Sequence, residues 1–161
     1  MGALSRIEVI DRRYEGQHMA RNYLSLQSID TPDGPVWLDM SISKTNMKSA
    51  VARVTRRRNG TWWDYRIAGA AWGGHTPIAA VDVQVDGGDW RHATIDEGRG
   101  PYSWILWWHT TSDLTPGTHA VASRATDANG RQQPSGEERT ERIASGREEF
   151  SIWPREIRVS A

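Results

Sequence analysis

The amino-acid sequence predicts an all-β protein with the architecture of a β-sandwich, preceded by an extended N-terminal arm. Short runs rich in β-branched and aromatic residues recur about every ten residues between Val51 and Val159, with Gly, Pro and Asn turn signals between them. No segment repeats the apolar spacing of a long amphipathic helix. We count about seven strands, and we expect the arm or junction segment over residues 1–50 and the sandwich over residues 51–161.

The clearest strand signal lies in residues 78–90, IAAVDVQVDGGDW. Val81–Val85 alternates Val with Asp or Gln, which is the period of a strand with one face buried. Asp86-Gly87-Gly88 then supplies residues that accept a tight reversal, and Trp90–Ile95 reads as the returning strand. The other glycine pair, Gly73-Gly74, is followed by Pro77 and a strand rather than by a helix, so it predicts a corner of the sheet and not a phosphate loop.

The segment 102–110, YSWILWWHT, is apolar at both odd and even positions, which predicts a strand covered on both faces. We expect Trp72 and Trp104 in or against the core. At least one of Trp107 and Trp108 should be exposed in an isolated monomer. A small sandwich buries one face of each strand, so the surplus of large side chains predicts cover by the arm or by another subunit, with these interface candidates: Tyr102, Trp107 and Trp108.

Composition excludes several classes of function. The 161 residues hold 20 basic and 20 acidic side chains, so the net charge is zero and a nucleic-acid partner is not expected. No run of about 18 apolar residues and no secretion signal are present, so no membrane partner is expected and the compartment stays open between cytoplasm and periplasm. The absence of cysteine excludes disulfides and thiolate chemistry within this chain.

Sequence motifs point to no catalytic, cofactor-binding or metal-ligating residue. The five histidines have no helical or alternating pair spacing, and no Gly-x-Ser-x-Gly occurs. A basic cluster, Arg56-Arg57-Arg58, precedes the turn dipeptide Asn59-Gly60. It predicts a solvated loop, with an anion or partner contact as the alternative.

Several segments in order, YRIAGAAWGG, IAAVDVQVDGGDW, YSWILWW and PGTHAVASRATDANGRQQP, give the chain a family resemblance. Together they resemble the C-terminal dimerisation domain of the sulfite oxidase family of molybdopterin-dependent oxidoreductases. The earlier segment RIEVIDRRYEGQHMARNYLSL looks like the junction between that family's cofactor domain and this one. The resemblance extends to about Pro134.

The resemblance implies an immunoglobulin-like sandwich that joins two subunits, and therefore a homodimer. In the family, molybdenum is held by a pterin dithiolene and a cysteine of the preceding domain. The resemblance thus implies a fragment, an engineered piece or a decayed relative that is non-catalytic alone and has no cofactor in this chain. It also implies a molybdopterin-binding domain or separate chain as a further partner. A family arginine near the end of the domain binds substrate, and Arg147 is the weakly matching substrate-anion candidate here.

A second hypothesis is a stand-alone immunoglobulin-like module that binds a ligand or carbohydrate. The nine tryptophans motivate it, because sugar rings stack on indoles. The N-terminal segment discriminates between the two, since a free binding module has no need of the family's junction pattern.

Overall fold

The structure is a computed structural model that describes residues 4–42, 45–98, 100–138 and 149–160. The described residues fall into two compact units, the first holding those up to Ile42 and the second all the others. The first unit contains a single turn of π-helix, His18–Asn22, and an antiparallel hairpin of β1 (Leu24–Thr31) and β2 (Gly34–Ser41). The predicted arm therefore carries a sheet of its own.

The second unit is a β-sandwich, as the sequence predicts. Two antiparallel four-stranded sheets have the orders β3-β4-β8-β7 and β10-β9-β5-β6. These orders match the ABED and GFC sheets of immunoglobulin folds, with one extra short strand beside C. The strands are β3 (Lys48–Asn59), β4 (Trp62–Trp72), β5 (Ile78–Val85), β6 (Arg91–His92), β7 (Thr94–Ile95), β8 (Ile105–Thr111), β9 (Gly117–Asp127) and β10 (Arg155–Val159). The predicted boundary at residues 50 and 51 falls within β3.

The tight turn predicted after β5 is confirmed. Asp86 and Gly87 have φ of 51° and 70°, and Gly88 N donates to Val85 O at 2.9 Å. Positive φ at both central positions is the type I′ geometry, whose twist matches that of the flanking strands. The turn therefore depends on Asp86 and Gly87, whereas Gly88 follows it.

The expectation of a single returning strand over Trp90–Ile95 is wrong, because two short strands in different sheets lie there. Arg91 and His92 pair with β5, whereas Thr94 and Ile95 pair with β8 in the opposite sheet. The chain crosses between sheets at Ala93, whose N donates to Val81 O at 2.9 Å. Alternating polarity indicates extended backbone, but it does not say which neighbouring strand the residues pair with. The crossing between sheets could therefore not be predicted from the sequence.

The core lies between the two sheets, and the largest side chain in it is Trp107, only 1% exposed. Trp107 pairs across the β4–β8 ladder with Gly69. The indole occupies the space that a side chain at residue 69 would need, because a Cβ there would overlap the Trp107 ring and the Ala50 carbonyl. The remaining members of this core are aliphatic or Met residues: Met47, Val51, Ile67, Ala71, Ile78, Val81, Val83, Ile105, Val121 and Ala125.

The placement of the tryptophans corrects one expectation. Trp104 is 67% exposed, not part of the core, and it stacks on Trp72 with ring centroids 4.8 Å apart. The reason lies in the parity of β8: Ile105 and Trp107 face the core, so the alternate positions face away from it. The expectation that at least one of Trp107 and Trp108 is exposed is not met in full, since Trp107 is buried and Trp108 is half-buried.

A buried amide connects the sheets at one edge. Gln133 is 2% exposed, and its Oε1 accepts from Ser49 N at 2.8 Å and from Ala125 N at 3.2 Å. Its Nε2 donates to Ser151 O at 3.0 Å. Buried polar groups must find such partners, and Gln133 finds them on β3, on β9 and in the segment before β10.

We expect Gly69→Ala to lower the melting temperature by roughly 3–10 °C, because overpacking typically costs about 1–3 kcal/mol and each kcal/mol shifts a domain of this size by about 2–4 °C. Thermal unfolding followed by circular dichroism measures it. The matched control is Gly136→Ala, where a Cβ meets nothing within 4 Å. Equal melting temperatures for both variants would contradict the packing described here.

We expect Gly87→Val to lower the melting temperature as well, since a β-branched residue accepts positive φ poorly. Gly87→Asn should retain most of the stability, because Asn adopts left-handed backbone more readily than other non-glycine residues. The same thermal scans compare the two. If Val and Asn behave alike, backbone conformation does not determine the role of Gly87.

Candidate interaction surface

The outer surface of the β3-β4-β8-β7 sheet is set by strand parity. Tyr65, Ile67, Gly69 and Ala71 of β4 are buried, so the intervening positions face away from the core. The β4–β8 register places Ala70 opposite Leu106 and Ala68 opposite Trp108. The outward positions of the two strands therefore lie side by side.

We call this surface the aromatic face and define it as Ala68, Ala70, Trp72, Trp104, Leu106 and Trp108. The two alanines form a shallow depression at its centre, because their side chains are small and half-buried. Around it stand large apolar side chains, of which Trp104 is 67% and Leu106 58% exposed. Trp72 and Trp104 lie nearly parallel, at an interplanar angle of 17°, so each indole shields one face of the other from water.

Cationic side chains border the aromatic face. The guanidinium of Arg66 lies 4.8 Å from the ring centroid of Trp108, a cation–π contact of about 0.5–1 kcal/mol at an exposed site. Arg53 pairs with Ala68 across the β3–β4 ladder and so shares this side of the sheet. An apolar patch with charged residues at its border is the usual arrangement of a protein–protein interface.

The structure brings together only some of the predicted interface residues. Trp108 belongs to the aromatic face, while Trp107 is enclosed by its own chain and offers no surface to a partner. Tyr102 is 57% exposed in the turn before β8, with its hydroxyl 2.7 Å from His75 Nδ1. Arg147, the predicted substrate-anion candidate, lies outside the described residues. Sequence reasoning missed Leu106 and Trp104 as surface residues, although their shared parity with Trp108 was a usable signal.

The basic cluster at the end of β3 is more ordered than a solvated loop. Arg56 and Arg58 lie with their guanidinium carbons 4.5 Å and 6.0 Å from the ring centroid of Trp63. Arg56 Nη1 also donates to Ser160 O at 3.0 Å. These arginines therefore have contacts within the chain, and the predicted loop is the end of a strand.

A cleft of about 560 Å³ opens at one end of the sandwich and is lined by residues of β5, β8 and the adjoining turns. At its wall His119 Nδ1 lies 2.6 Å from Asp86 Oδ2, and His119 Nε2 lies 2.8 Å from Thr115 O. Both ring nitrogens face acceptors, an arrangement in which the doubly protonated imidazolium can donate to both. Asp86 Oδ1 accepts from Ala120 N at 2.7 Å, which completes a link between the β5–β6 turn and β9.

These contacts raise the pKa of His119 and lower the pKa of Asp86, so each contact stabilises the charged form of its group. The backbone carbonyl of Thr115 and then the carboxylate of Asp86 raise the pKa of His119 above 6.5. The hydrogen bonds from His119 and from Ala120 lower the pKa of Asp86 below 3.8. The pair therefore favours the charged form of each group.

The residues present do not fit the metal-ligand set of a molybdenum cofactor, because the chain has no cysteine. In the part of the chain that the structure describes, no three His, Asp or Glu side chains are grouped so as to hold a metal ion. Two histidines bind instead to carboxylates, His92 to Asp82 and His119 to Asp86. No described helix is long and apolar enough to cross a membrane.

Comparison with solved structures gives a fold likeness. The chain resembles the crystal structure of the sulfane dehydrogenase SoxCD from Paracoccus pantotrophus, with a TM-score of 0.66 and 24% sequence identity over 92% of this chain. The likeness covers 38% of that chain, so this chain spans about two fifths of the length of its structural neighbour. No protein-family model and no curated protein matches the sequence.

We expect the Asp86–His119 pair to make stability pH-dependent. The contribution of His119 is fully present below about pH 6.5, its ordinary pKa, and is lost as the pH rises through the raised value. That of Asp86 is present above about pH 3.8 and is lost as the pH falls through the lowered value. Urea unfolding across this range should show the largest difference between wild type and His119→Gln near pH 5.

The matched variant is Asp86→Asn, which removes the other partner of the pair. Since each substitution breaks the Asp86–His119 interaction, and His119→Gln also removes the contact with Thr115 O, the double variant should be little less stable than His119→Gln alone at pH 5. Fully additive losses would show that the two groups stabilise the fold separately.

Proposed function

We propose that this chain is the assembly domain of a molybdenum-dependent oxidoreductase, and that it joins two copies of itself through the aromatic face. Two findings support an accessory domain of such an enzyme. The sequence resembles the dimerisation domain of the sulfite oxidase family, and the fold is similar to part of a dehydrogenase chain, of which it covers 38%.

The observation that carries the proposal is the aromatic face. Trp104 and Leu106 expose more than half of their area beside the indoles of Trp72 and Trp108. Contiguous exposed apolar surface of this kind marks interaction sites in soluble proteins. Aromatic residues and Arg are enriched at such sites relative to the rest of the surface.

A second copy is the occupant that the charges favour. Arg66 borders the face, and Asp64 lies two positions before it on the same parity of β4. A two-fold axis presents each patch to its own copy, and an axis that passes between these two positions would pair Arg66 of one protomer with Asp64 of the other. The zero net charge of the chain also removes long-range repulsion between copies.

Catalysis in this proposal belongs to a different domain or chain. Without cysteine, these residues supply no thiolate to a molybdenum centre, which prefers soft ligands. The role of this chain is then to set the position of the cofactor domains by holding their assembly together. We expect no sulfite oxidation by this chain alone.

A carbohydrate-binding module is the second candidate. Trp62 and Trp153 are 66% and 70% exposed, and open indole faces can stack on sugar rings. The mutual stacking of Trp72 and Trp104 favours the first proposal, because each ring covers one face that a sugar would need.

The decisive experiment measures molar mass by light scattering coupled to size-exclusion chromatography. We expect a dimer for the wild type and a monomer for Leu106→Asp, since a charge buried in an apolar interface without a partner strongly disfavours association. Trp153→Ala is the matched control, because it removes an exposed aromatic side chain outside the aromatic face and should leave the dimer intact. Circular dichroism verifies that each variant is folded.

A wild-type monomer at every concentration tested would overturn the assembly proposal. Titration of that monomer with soluble oligosaccharides, followed by tryptophan fluorescence, would then test the second candidate. A saturable change that Trp62→Ala or Trp153→Ala removes would support carbohydrate binding.

A further inference from the structure

Two arginines beside the β10-β9-β5-β6 sheet, one on β9 and one in the turn after it, each contact a buried aspartate. Arg124 Nε donates to Asp82 Oδ2 at 3.1 Å, and the side chain of Asp82 is 8% exposed. Arg131 Nε lies 3.3 Å from Asp127 Oδ2, and the side chain of Asp127 is 3% exposed. Each guanidinium is thus fixed through its Nε by a carboxylate that is more than nine-tenths buried.

Further contacts hold the side chain of Arg124 and the backbone of the turn that carries Arg131. The guanidinium carbon of Arg124 lies 4.4 Å from the ring centroid of Trp90, which restricts rotation of the arginine. Asp127 Oδ1 accepts from Asn129 N and from Arg131 N, both at 3.0 Å, and so shapes the turn on which Arg131 stands. Asp82 has a further contact of its own, since its Oδ1 lies 2.6 Å from His92 Nδ1.

The two arginines line one groove of about 440 Å³ with Trp90, Gln132, Ser135 and Glu138. This volume lies in the range of about 300–1,000 Å³ that small-molecule sites occupy. Within the described ranges the terminal Nη atoms of Arg124 and Arg131 make no hydrogen bond, so their N–H groups remain available. The carboxylate of Glu138 accepts from Ser135 N at 2.8 Å, an interaction within the wall of the groove.

We propose that this groove is a binding site for a small tetrahedral oxoanion, of the chemistry of sulfate or phosphate. Guanidinium N–H pairs match oxoanion geometry and form charge-assisted hydrogen bonds. Two guanidiniums from separate elements, β9 and the turn after it, suit an anion with three or more oxygens better than a carboxylate with two. Because Arg124 is held between Asp82 and Trp90, its side chain loses little entropy on binding.

This inference does not depend on the assembly function, since the groove is on the other sheet from the aromatic face. The counter-argument is charge: Asp82 and Asp127 partly neutralise the arginines. Both aspartates contact the guanidiniums at Nε, and Glu138 adds a third carboxylate to the lining, so the N–H groups on the Nη atoms are the donors that an anion would use. The aspartates therefore orient the site and limit its affinity.

The test is a ¹H–¹⁵N NMR titration of the full chain with sodium sulfate, sodium phosphate and sodium acetate, at ionic strength held constant with sodium chloride. We expect saturable shifts at the amides of Gln132 and Ser135 with sulfate and with phosphate, and weaker binding of acetate. Absence of saturable shifts with sulfate and phosphate would overturn the proposal. Tighter binding of acetate would overturn the assignment to tetrahedral anions.

Arg131→Gln is the main variant, because its side chain is 64% exposed and its loss should leave the fold intact. We expect sulfate to bind at least about tenfold more weakly, the effect of losing one hydrogen bond to a charged group. Arg131→Lys keeps the charge without the planar fork and should be intermediate. The matched control, Arg57→Gln, removes an exposed arginine of β3 on the other sheet and should bind as the wild type; equal affinities of Arg131→Gln and Arg57→Gln would overturn the proposal.

Discussion

The packing of the Trp107 indole against the backbone of Gly69 is the constraint on which the sandwich depends. It favours the observed register of β4 against β8, because Gly69 is the only glycine of β4 and a Cβ there would overlap the indole. Trp107 Nε1 is buried without a hydrogen-bond partner among the described residues. An unpartnered donor costs about 1–3 kcal/mol, which burial of the large apolar ring offsets. Packing, not hydrogen bonding, therefore determines the position of this side chain.

The same contact also determines which residues lie on the outer surface of this sheet. With Ile105 and Trp107 directed inward, the alternate positions of β8 have no place in the core, and Leu106 and Trp108 lie on the outer surface. The alanines of β4 beside them are too small to cover the indoles. The aromatic face is thus the necessary counterpart of a core built around Trp107, and the assembly we propose would remove that apolar surface from water.

Buried or anchored aspartates organise the charged groups of the second sheet. Asp86 holds His119, Asp82 holds Arg124 and His92, and Asp127 holds Arg131. In each case the carboxylate lies on one backbone element and the cation on another or across a turn, so folding brings the pair together. The first of these pairs links the β5–β6 turn to β9 and makes stability pH-dependent, whereas we propose that the arginines keep donors that another anion can reach.

The sequence by itself determined the all-β class, the turn at Asp86-Gly87 and the inward side of β5, because period-two alternation and left-handed turn residues are local properties of the chain. It did not determine that residues 90–95 divide between two sheets or that Trp104 lies on the surface. Both depend on which strands become neighbours, a matter of long-range packing. The groove of Arg124 and Arg131 was likewise invisible, since Asp82 lies 42 residues from the arginine it orients and only tertiary structure brings them together.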